Sequence, residues 1–425
     1  MRNHFLAAIA VPALLLAAPA PSFADQVQAL HGFCGDMGCR GGYDPIGIVQ
    51  DGKGSLYGAT YFGGRQADGT IFELYLDGST WKRKTLHDFC APPGCADSIF
   101  PTAAPIVDVN GNLYGTTLGS GFDDFGVIYE LSPGADRKHW KYRVLYRFAG
   151  FGGAVMPLGG LGYAGQSSGL PYDGTSPLYG TTVLGGSNFS GTVYRLAPGT
   201  GTHKCRYDVL HEFCATDCID GALPYAGVLV GPDDTLYGTT SAGGAANRGT
   251  VFALAPGKRR EHWTATTLHD FCTEPKCADG SSPYAPVLRD AGGALFGTTL
   301  GGGSCSEGDG CGVLFKLSKE SGSWRETVLH TFCAEENCAD GTSPDGPLVM
   351  DSGGALYGTT GHGGLGDGIL YAFDTSFRVV HTFCSSCAEG RQPQGPLLLS
   401  ASSALLGSTA TGGLKGGGAV YELKP

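Results

Sequence analysis

The sequence predicts an all-β chain, a seven-bladed β-propeller of four-stranded antiparallel blades in which the N-terminal strand completes the last blade. Three observations carry this. A Leu-Tyr-Gly-Thr-Thr segment, or a close variant, begins at Leu56, Leu113, Leu178, Leu236, Leu295, Leu356 and Leu405. A period of about 50–60 residues built only from short strands is one blade per repeat. Glycine supplies 72 of the 425 residues and charged residues only 16%, a composition of many turns and little helix. The ends are complementary: Gln28-Ala29-Leu30-His31-Gly32-Phe33 has the form of a fourth strand without the preceding three, and Gly418-Ala419-Val420-Tyr421-Glu422-Leu423 that of a third strand without a fourth. Pairing them closes the ring and leaves no long free edge.

Residues 267–332 show the unit. Thr267-Leu268-His269-Asp270-Phe271 is extended and ends at Cys272. A cysteine loop follows to Cys277, Asp279 and Gly280, then the short strand Pro283-Tyr284-Ala285-Pro286-Val287-Leu288. The turn Asp290-Ala291-Gly292-Gly293 leads into the Leu295 motif, a glycine-rich loop into Gly312-Val313-Leu314-Phe315-Lys316-Leu317, and Trp324 opens the strand ending at Phe332. Apolar and β-branched runs separated by Gly/Asp turns make an antiparallel sheet.

Arg2, the apolar run Phe5–Ala18 and Ser22-Phe23-Ala24 have the layout of a secretory signal peptide. The expected organisation is therefore residues 1–24 as signal peptide and 25–425 as one propeller domain, secreted or periplasmic, monomeric, with no membrane span in the mature chain. Net charge is −11, which argues against a nucleic-acid partner and favours a neutral or cationic one.

Fifteen cysteines in an exported chain read as disulfides. The local pairs are Cys34/Cys39, Cys90/Cys95, Cys214/Cys218, Cys272/Cys277, Cys305/Cys311, Cys333/Cys338 and Cys384/Cys387. Cys214/Cys218 and Cys384/Cys387 read as shorter versions at the same place in the repeat. Cys205 is left over as a free thiol. It occupies the slot held by Trp81, Trp140, Trp263 and Trp324 in other copies, so it reads as a small hydrophobe.

Leu236-Tyr237-Gly238-Thr239-Thr240, Gly243-Gly244 and Gly249-Thr250-Val251-Phe252 together resemble the bacterial choice-of-anchor tandem-repeat family known as GloVer repeats. The resemblance implies an exported, often surface-anchored protein and implies no reaction. The chain stops at Leu423-Lys424-Pro425 without a hydrophobic tail, so free secretion or periplasmic residence is the expectation.

His31, His87, His211, His269, His330 and His381 share one repeat position on the outer strand. They splay from the axis and cannot converge on one ion, so packing or a turn hydrogen bond is expected of them. Asp97, Asp220, Asp279 and Asp340, with Glu389 in the last copy, follow the second loop cysteine by two residues. Such an acid bonds its own backbone in a turn; as hard oxygen ligands the four aspartates are also weak calcium candidates. No cofactor is otherwise expected.

Strand alternation puts the cysteine loops and the glycine-rich loops on one rim, the stapled rim. Binding residues concentrate on loops held by a rigid scaffold, and the non-repeated residues there include Arg65, Asp123, Asp124, Arg248, Asp309, His362 and Asp367. The expected function is a non-catalytic exported binding propeller that recognises a glycan, a peptide or a surface protein. The alternative is a secreted hydrolase or lyase with an acidic site at the axial mouth, pairing Asp123 or Asp124 with Asp309 or Asp367.

Overall fold

The computed structural model describes residues 27–424 apart from 35–37, 92–93, 121–124, 151–152, 200–203, 259–261, 304–310 and 401. The proposed signal peptide lies outside the described residues. Seven four-stranded antiparallel sheets form the blades of a β-propeller. In the fourth blade the inner strand is Leu229–Val230, followed by Leu236–Thr240, Thr250–Pro256 and the outer strand Trp263–Asp270. The seventh blade runs Arg391–Leu399, Leu405–Thr411 and Gly416–Leu423, and its outer place is taken by Val27–Cys34. Val27 pairs with Leu423 and Gly32 with Ala419, so the chain ends close the ring as expected. Among the described residues no helix is long and apolar enough to cross a membrane.

Each letter of the repeated motif has a physical task. The leucine is core: Leu56, Leu113, Leu236, Leu295 and Leu405 are fully buried. The tyrosine faces the opposite side of the sheet, in the next seam, and its hydroxyl donates to the aspartate of the preceding hairpin turn, as Tyr114 does to Asp108 at 3.2 Å and Tyr357 to Asp351 at 3.1 Å. The glycine lies opposite an aromatic residue on the third strand, Gly238 opposite Phe252. A Cβ there would stand 2.5 Å from the Phe252 ring. In the third and fourth blades the first threonine crosses to the next blade: Thr181 Oγ1 donates to the Ala226 carbonyl at 2.7 Å and Thr239 to Ala285 at 3.0 Å. The second bonds its partner on the third strand, as Thr240 and Thr250 do at 2.8 Å.

The core lies between blades. Tyr57, Ile71 and Phe89 of the first blade share one cluster with Val107, Val127 and Tyr129 of the second. The aromatic that covers the motif glycine meets the last phenylalanine of the preceding blade at every seam, with centroids 5.1–5.7 Å apart. Edge contacts of this kind add to the area that the rings bury. Cys205 packs in the slot that tryptophan fills elsewhere, against the second seam cluster, and is unpaired. The insertion at 159–177 folds onto the neighbouring Asp108 turn, where Val109 N donates to the Tyr172 carbonyl and Tyr172 is fully buried.

His31 sits in the closing strand and, unlike its counterparts, has no loop acid. Burial, then the nearby Lys415 and Arg83, lower its pKa to about 4. The unfolded chain protonates this imidazole near 6.5 while the fold resists until about 4, so its contribution to stability is present above 6.5 and lost as pH falls through that window. A His31→Gln variant is expected to lose less stability than the parent between pH 7 and 4.5, measured by denaturant midpoint at both pH values. An equal loss in both would remove His31 from the acid response.

Candidate functional site

The cysteine loops and the glycine-rich loops meet on one rim: Gly64 N donates to the Cys39 carbonyl, Gly244 N to Cys218, Gly303 N to Cys277 and Gly364 N to Cys338. Six of the seven expected disulfides are formed as paired in the sequence: Cys34–Cys39, Cys90–Cys95, Cys214–Cys218, Cys272–Cys277, Cys333–Cys338 and Cys384–Cys387. For the seventh, Cys311 is disulfide-bonded and Cys305 lies outside the described residues. Both cysteines of four loops sit in the left-handed region, for example Cys272 at φ +62° and Cys277 at +52°, which non-glycine residues avoid. The covalent bond fixes a loop shape the backbone alone disfavours.

The Cys384–Cys387 loop stands at the expected place in the repeat, bridged as paired and shorter than the others, with a shape of its own. Neither Cys384 nor Cys387 has a positive φ, and their Cα atoms stand 5.2 Å apart, against 3.7 Å for Cys214 and Cys218. With only three residues of separation, Cys387 N donates to the Cys384 carbonyl at 3.0 Å. The bridge therefore spans a single tight turn, which an ordinary backbone conformation can make without left-handed residues.

Within these loops the recurring histidine and acid form pairs. His87 Nε2 lies 2.8 Å from Asp97, His211 2.9 Å from Asp220, His330 3.0 Å from Asp340 and His381 3.1 Å from Glu389. The same carboxylates accept loop amides, Asp97 from Ala91 N, Asp220 from Cys214 N, and Asp340 from both Ala334 N and Glu335 N. Asp97, Asp220 and Asp340 are thus spent on tying the loop back to the outer strand. On the other face of the imidazole a ring from the next blade stacks, Tyr142 on His87 at 4.3 Å and Phe377 on His330 at 3.7 Å.

One copy departs from this pattern. The position that holds Tyr142 and Phe377 is Glu326 opposite His269, and Asp279 stands 3.9 Å from the imidazole, accepting Thr273 N at 2.8 Å as its siblings accept the equivalent amide and also Thr273 Oγ1 at 2.9 Å. His269 Nε2 and Glu326 Oε1 are buried without a hydrogen-bond partner. Burial, then Asp279 and Glu274, push the Glu326 carboxyl up to about 8, and burial lowers the His269 imidazole.

A second set of side chains rings the axis on the stapled rim. Each inner strand opens with a buried proline, and the residue after it differs from blade to blade: Ile46, Thr102, Leu158, Tyr225, Tyr284, Asp345 and Gln394. These side chains reach across the inner seams. Thr102 Oγ1 donates to the Pro157 carbonyl at 2.9 Å, and Gln394 Nε2 donates to the Asp44 carboxylate and the Pro45 carbonyl. Tyr225 and Tyr284 stack, centroids 4.3 Å apart and planes inclined by 21°. Burial, then the hydrogen bond with Tyr225, push the Tyr284 phenol up to about 12. Asp345 is exposed, yet the walls of the mouth desolvate its carboxylate and raise its pKa, with nearby His362 opposing the shift. Desolvation also raises Asp44, opposed by its hydrogen bond from Gln394.

The residues expected from the sequence fall unevenly around this mouth. His362 stands beside Asp345. Arg65 is a surface residue 3.4 Å from Asp88. Arg248 and Asp367 each precede a seam glycine, and their carbonyls accept the N–H of Ser282 and Gln392 from the next blade. The Arg248 side chain is exposed, whereas Asp367 also accepts Ser385 N and pairs with Arg391 at 3.6 Å. Asp123, Asp124 and Asp309 lie outside the described residues. The ring after the proline was missed by the sequence reading, although the change of residue type at a fixed place in each repeat marks it.

A family model described as the Gloeobacter/Verrucomicrobia repeat matches residues 21–170, the stretch that holds the first two Leu-Tyr-Gly motifs. These residues belong to the Gloeobacter/Verrucomicrobia repeat family. The later blades repeat the chemistry of the Gloeobacter/Verrucomicrobia segment beyond the matched residues. Comparison with curated proteins gives no match. Among solved structures the chain is similar to a Trypanosoma rangeli sialidase at 13% identity and TM-score 0.43, over 82% of this chain and 56% of the sialidase. The chain thus spans a little over half the length of that sialidase. It is also similar to a Thermus thermophilus protein provisionally called an oxidoreductase (glucose dehydrogenase), at 15% identity and TM-score 0.40, over 94% and 99% of the two chains.

Asp340 is fully buried and holds one imidazole and two amides. Asp340→Ala is expected to lower stability by about 1–3 kcal/mol, the cost of stranding buried donors, read from chemical denaturation. A change within error would show that the loop re-bonds without the carboxylate.

Proposed function

We propose that the protein is an exported, non-catalytic binding propeller whose axial mouth on the stapled rim takes a neutral, polyhydroxylated ligand, a glycan. The observation that carries this reading is the stacked Tyr225–Tyr284 pair on the same ring as Asp345 and Gln394. Aromatic faces offer a flat apolar platform, and a carboxylate and an amide beside it supply acceptors and donors for hydroxyl groups. Such a mixture of apolar wall and few polar groups is what small-ligand sites use. The ring positions carry no lysine or arginine and the chain is acidic overall, so an anionic ligand is disfavoured. Export rests on the signal-like N-terminus and on the disulfides, which persist in oxidising compartments.

The test is binding of the chain from Asp25 onward to a broad glycan array, followed by titration calorimetry on the best ligand. Tyr225→Ala and Tyr284→Ala are each expected to weaken binding by about 1–2 kcal/mol, roughly 5–30-fold. Retained affinity in both variants moves the site off the mouth.

A second reading, a hydrolase or lyase, is favoured by one observation: desolvation raises both Asp345, the ring residue of the blade before Gln394, and Asp44 of the blade after, which accepts from the Gln394 amide. Raised carboxyls are what a general acid needs. Under this reading Asp345→Asn abolishes turnover of a bound glycan. Turnover that survives the substitution, or ligand recovered intact from the parent protein, discards it.

A further inference from the structure

We infer that His269, Asp279 and Glu326 form a binding site for one divalent transition-metal ion at the outer seam between the fourth and fifth blades. The site is remote in the repeat from the axial ring and stands independently of the glycan reading. Its ligand atoms lie within 4.8 Å of one another. His269 Nε2 is 3.7 Å from Glu326 Oε2 and 3.9 Å from Asp279 Oδ2. Donors bound at roughly 2.0–2.1 Å in a tetrahedron are about 3.3 Å apart, so the two His269 separations would close by about 0.4–0.6 Å and the two carboxylates, within 4.8 Å of each other, by up to about 1.5 Å to seat an ion.

Comparison within the molecule points to a ligand. In four sibling copies the histidine satisfies its Nε2 on the loop acid at 2.8–3.1 Å. Here that bond is absent, and a second carboxylate takes the place where Tyr142 and Phe377 stack elsewhere. The Glu326 side chain is only 10% exposed, its Oε2 faces His269 Nε2, and both that imidazole nitrogen and Glu326 Oε1 are buried without a hydrogen-bond partner. Asp279 is 2% exposed, its orientation fixed by Thr273. Two buried carboxylates that neither pair with a cation nor bond to each other are costly. A dication against two carboxylates and a neutral imidazole balances that charge.

The donor set selects the class of ion. An imidazole with two carboxylates suits zinc or manganese better than calcium, which prefers six to eight oxygens. Three protein donors leave a coordination position facing a cleft of about 490 Å³ that also carries Glu274 and Glu320, so the ion has an entry path lined with negative charge. The other cluster of similar composition, Asp68 with Cys90 and Cys95, has its sulfurs committed to a disulfide and offers no thiolate.

Chelator-treated chain should bind one equivalent of zinc by calorimetry, and cobalt should give the visible absorption of a low-coordinate site. Glu326→Gln and His269→Phe are each expected to weaken zinc at least 10-fold, while Glu320→Gln, a cleft acid outside the cluster, binds as the parent does. Circular dichroism melting without metal establishes that each variant is folded. No zinc or manganese binding by the parent, or equal binding by folded Glu326→Gln, overturns the site. An equal loss in Glu320→Gln also overturns it, by reducing the effect to diffuse surface charge.

Discussion

The structure depends on a glycine with an aromatic ring laid over it. In each blade the motif glycine faces a phenylalanine or tyrosine on the third strand: Gly58 and Phe72, Gly180 and Tyr194, Gly358 and Tyr371 are three of the seven pairs. Glycine within a strand ordinarily weakens it. Here the missing side chain is the room into which the ring folds, and the ring covers the backbone that glycine leaves bare, a pairing that stabilises sheets. Because each ring lies close to its own sheet, it also meets the phenylalanine that ends the preceding blade. The seven rings and seven phenylalanines therefore form one pair at each seam, with Phe33 from the closing strand against Phe72 of the first blade.

A second repeated device holds the seams nearer the axis. The glycine that opens each third strand takes a positive φ and sits against the first proline of the next blade, as Gly249 (φ +97°) does against Pro283. The residue before that proline is itself left-handed in all seven blades, from Ser282 at +53° to Met156 at +61°. Its amide reaches back to the neighbouring loop, Ser282 N to the Arg248 carbonyl at 2.7 Å, and its carbonyl accepts from its own second strand, Leu300 N at 3.1 Å. A conformation that costs of order 1–3 kcal/mol per residue is maintained because both of its polar groups are used. The same geometry aims the next side chain, residue after residue, at the axial mouth.

The architecture was legible because the motif recurs seven times and its glycine meets an aromatic ring of the third strand each time, so the repeat itself displays the fold. The pairing of Phe33's strand with the last blade was legible for a related reason: the two ends are fragments of one unit. The site was less legible. Reading by repetition gives weight to positions that agree, whereas Tyr225, Tyr284, Asp345 and Gln394 matter through disagreement at a position whose backbone is constant. Glu326 was hidden in the same way. Only the stacking of Tyr142 and Phe377 on their histidines reveals which slot it occupies, and that contact joins residues of different blades. Asp367 and Cys387 illustrate the converse. Asp367 looked free as a rim acid, but its carboxylate is committed to Ser385 N and Arg391. Cys387 holds its siblings' place in the repeat at a shorter spacing, and its bridge closes a turn of another shape.

Closure of the ring by Val27–Cys34 sets an order of assembly. Six blades are made of strands adjacent in sequence and can form as soon as their own residues are available. The seventh joins Val27 to Leu423, and such distant pairing is slow because loop-closure entropy must be overcome before contacts reward it. The strand that comes first in the ring's sequence is accordingly the last to find its partner. Until then the growing stack presents two bare sheet edges, and the oxidation of neighbouring cysteines, which needs no distant partner, proceeds ahead of it.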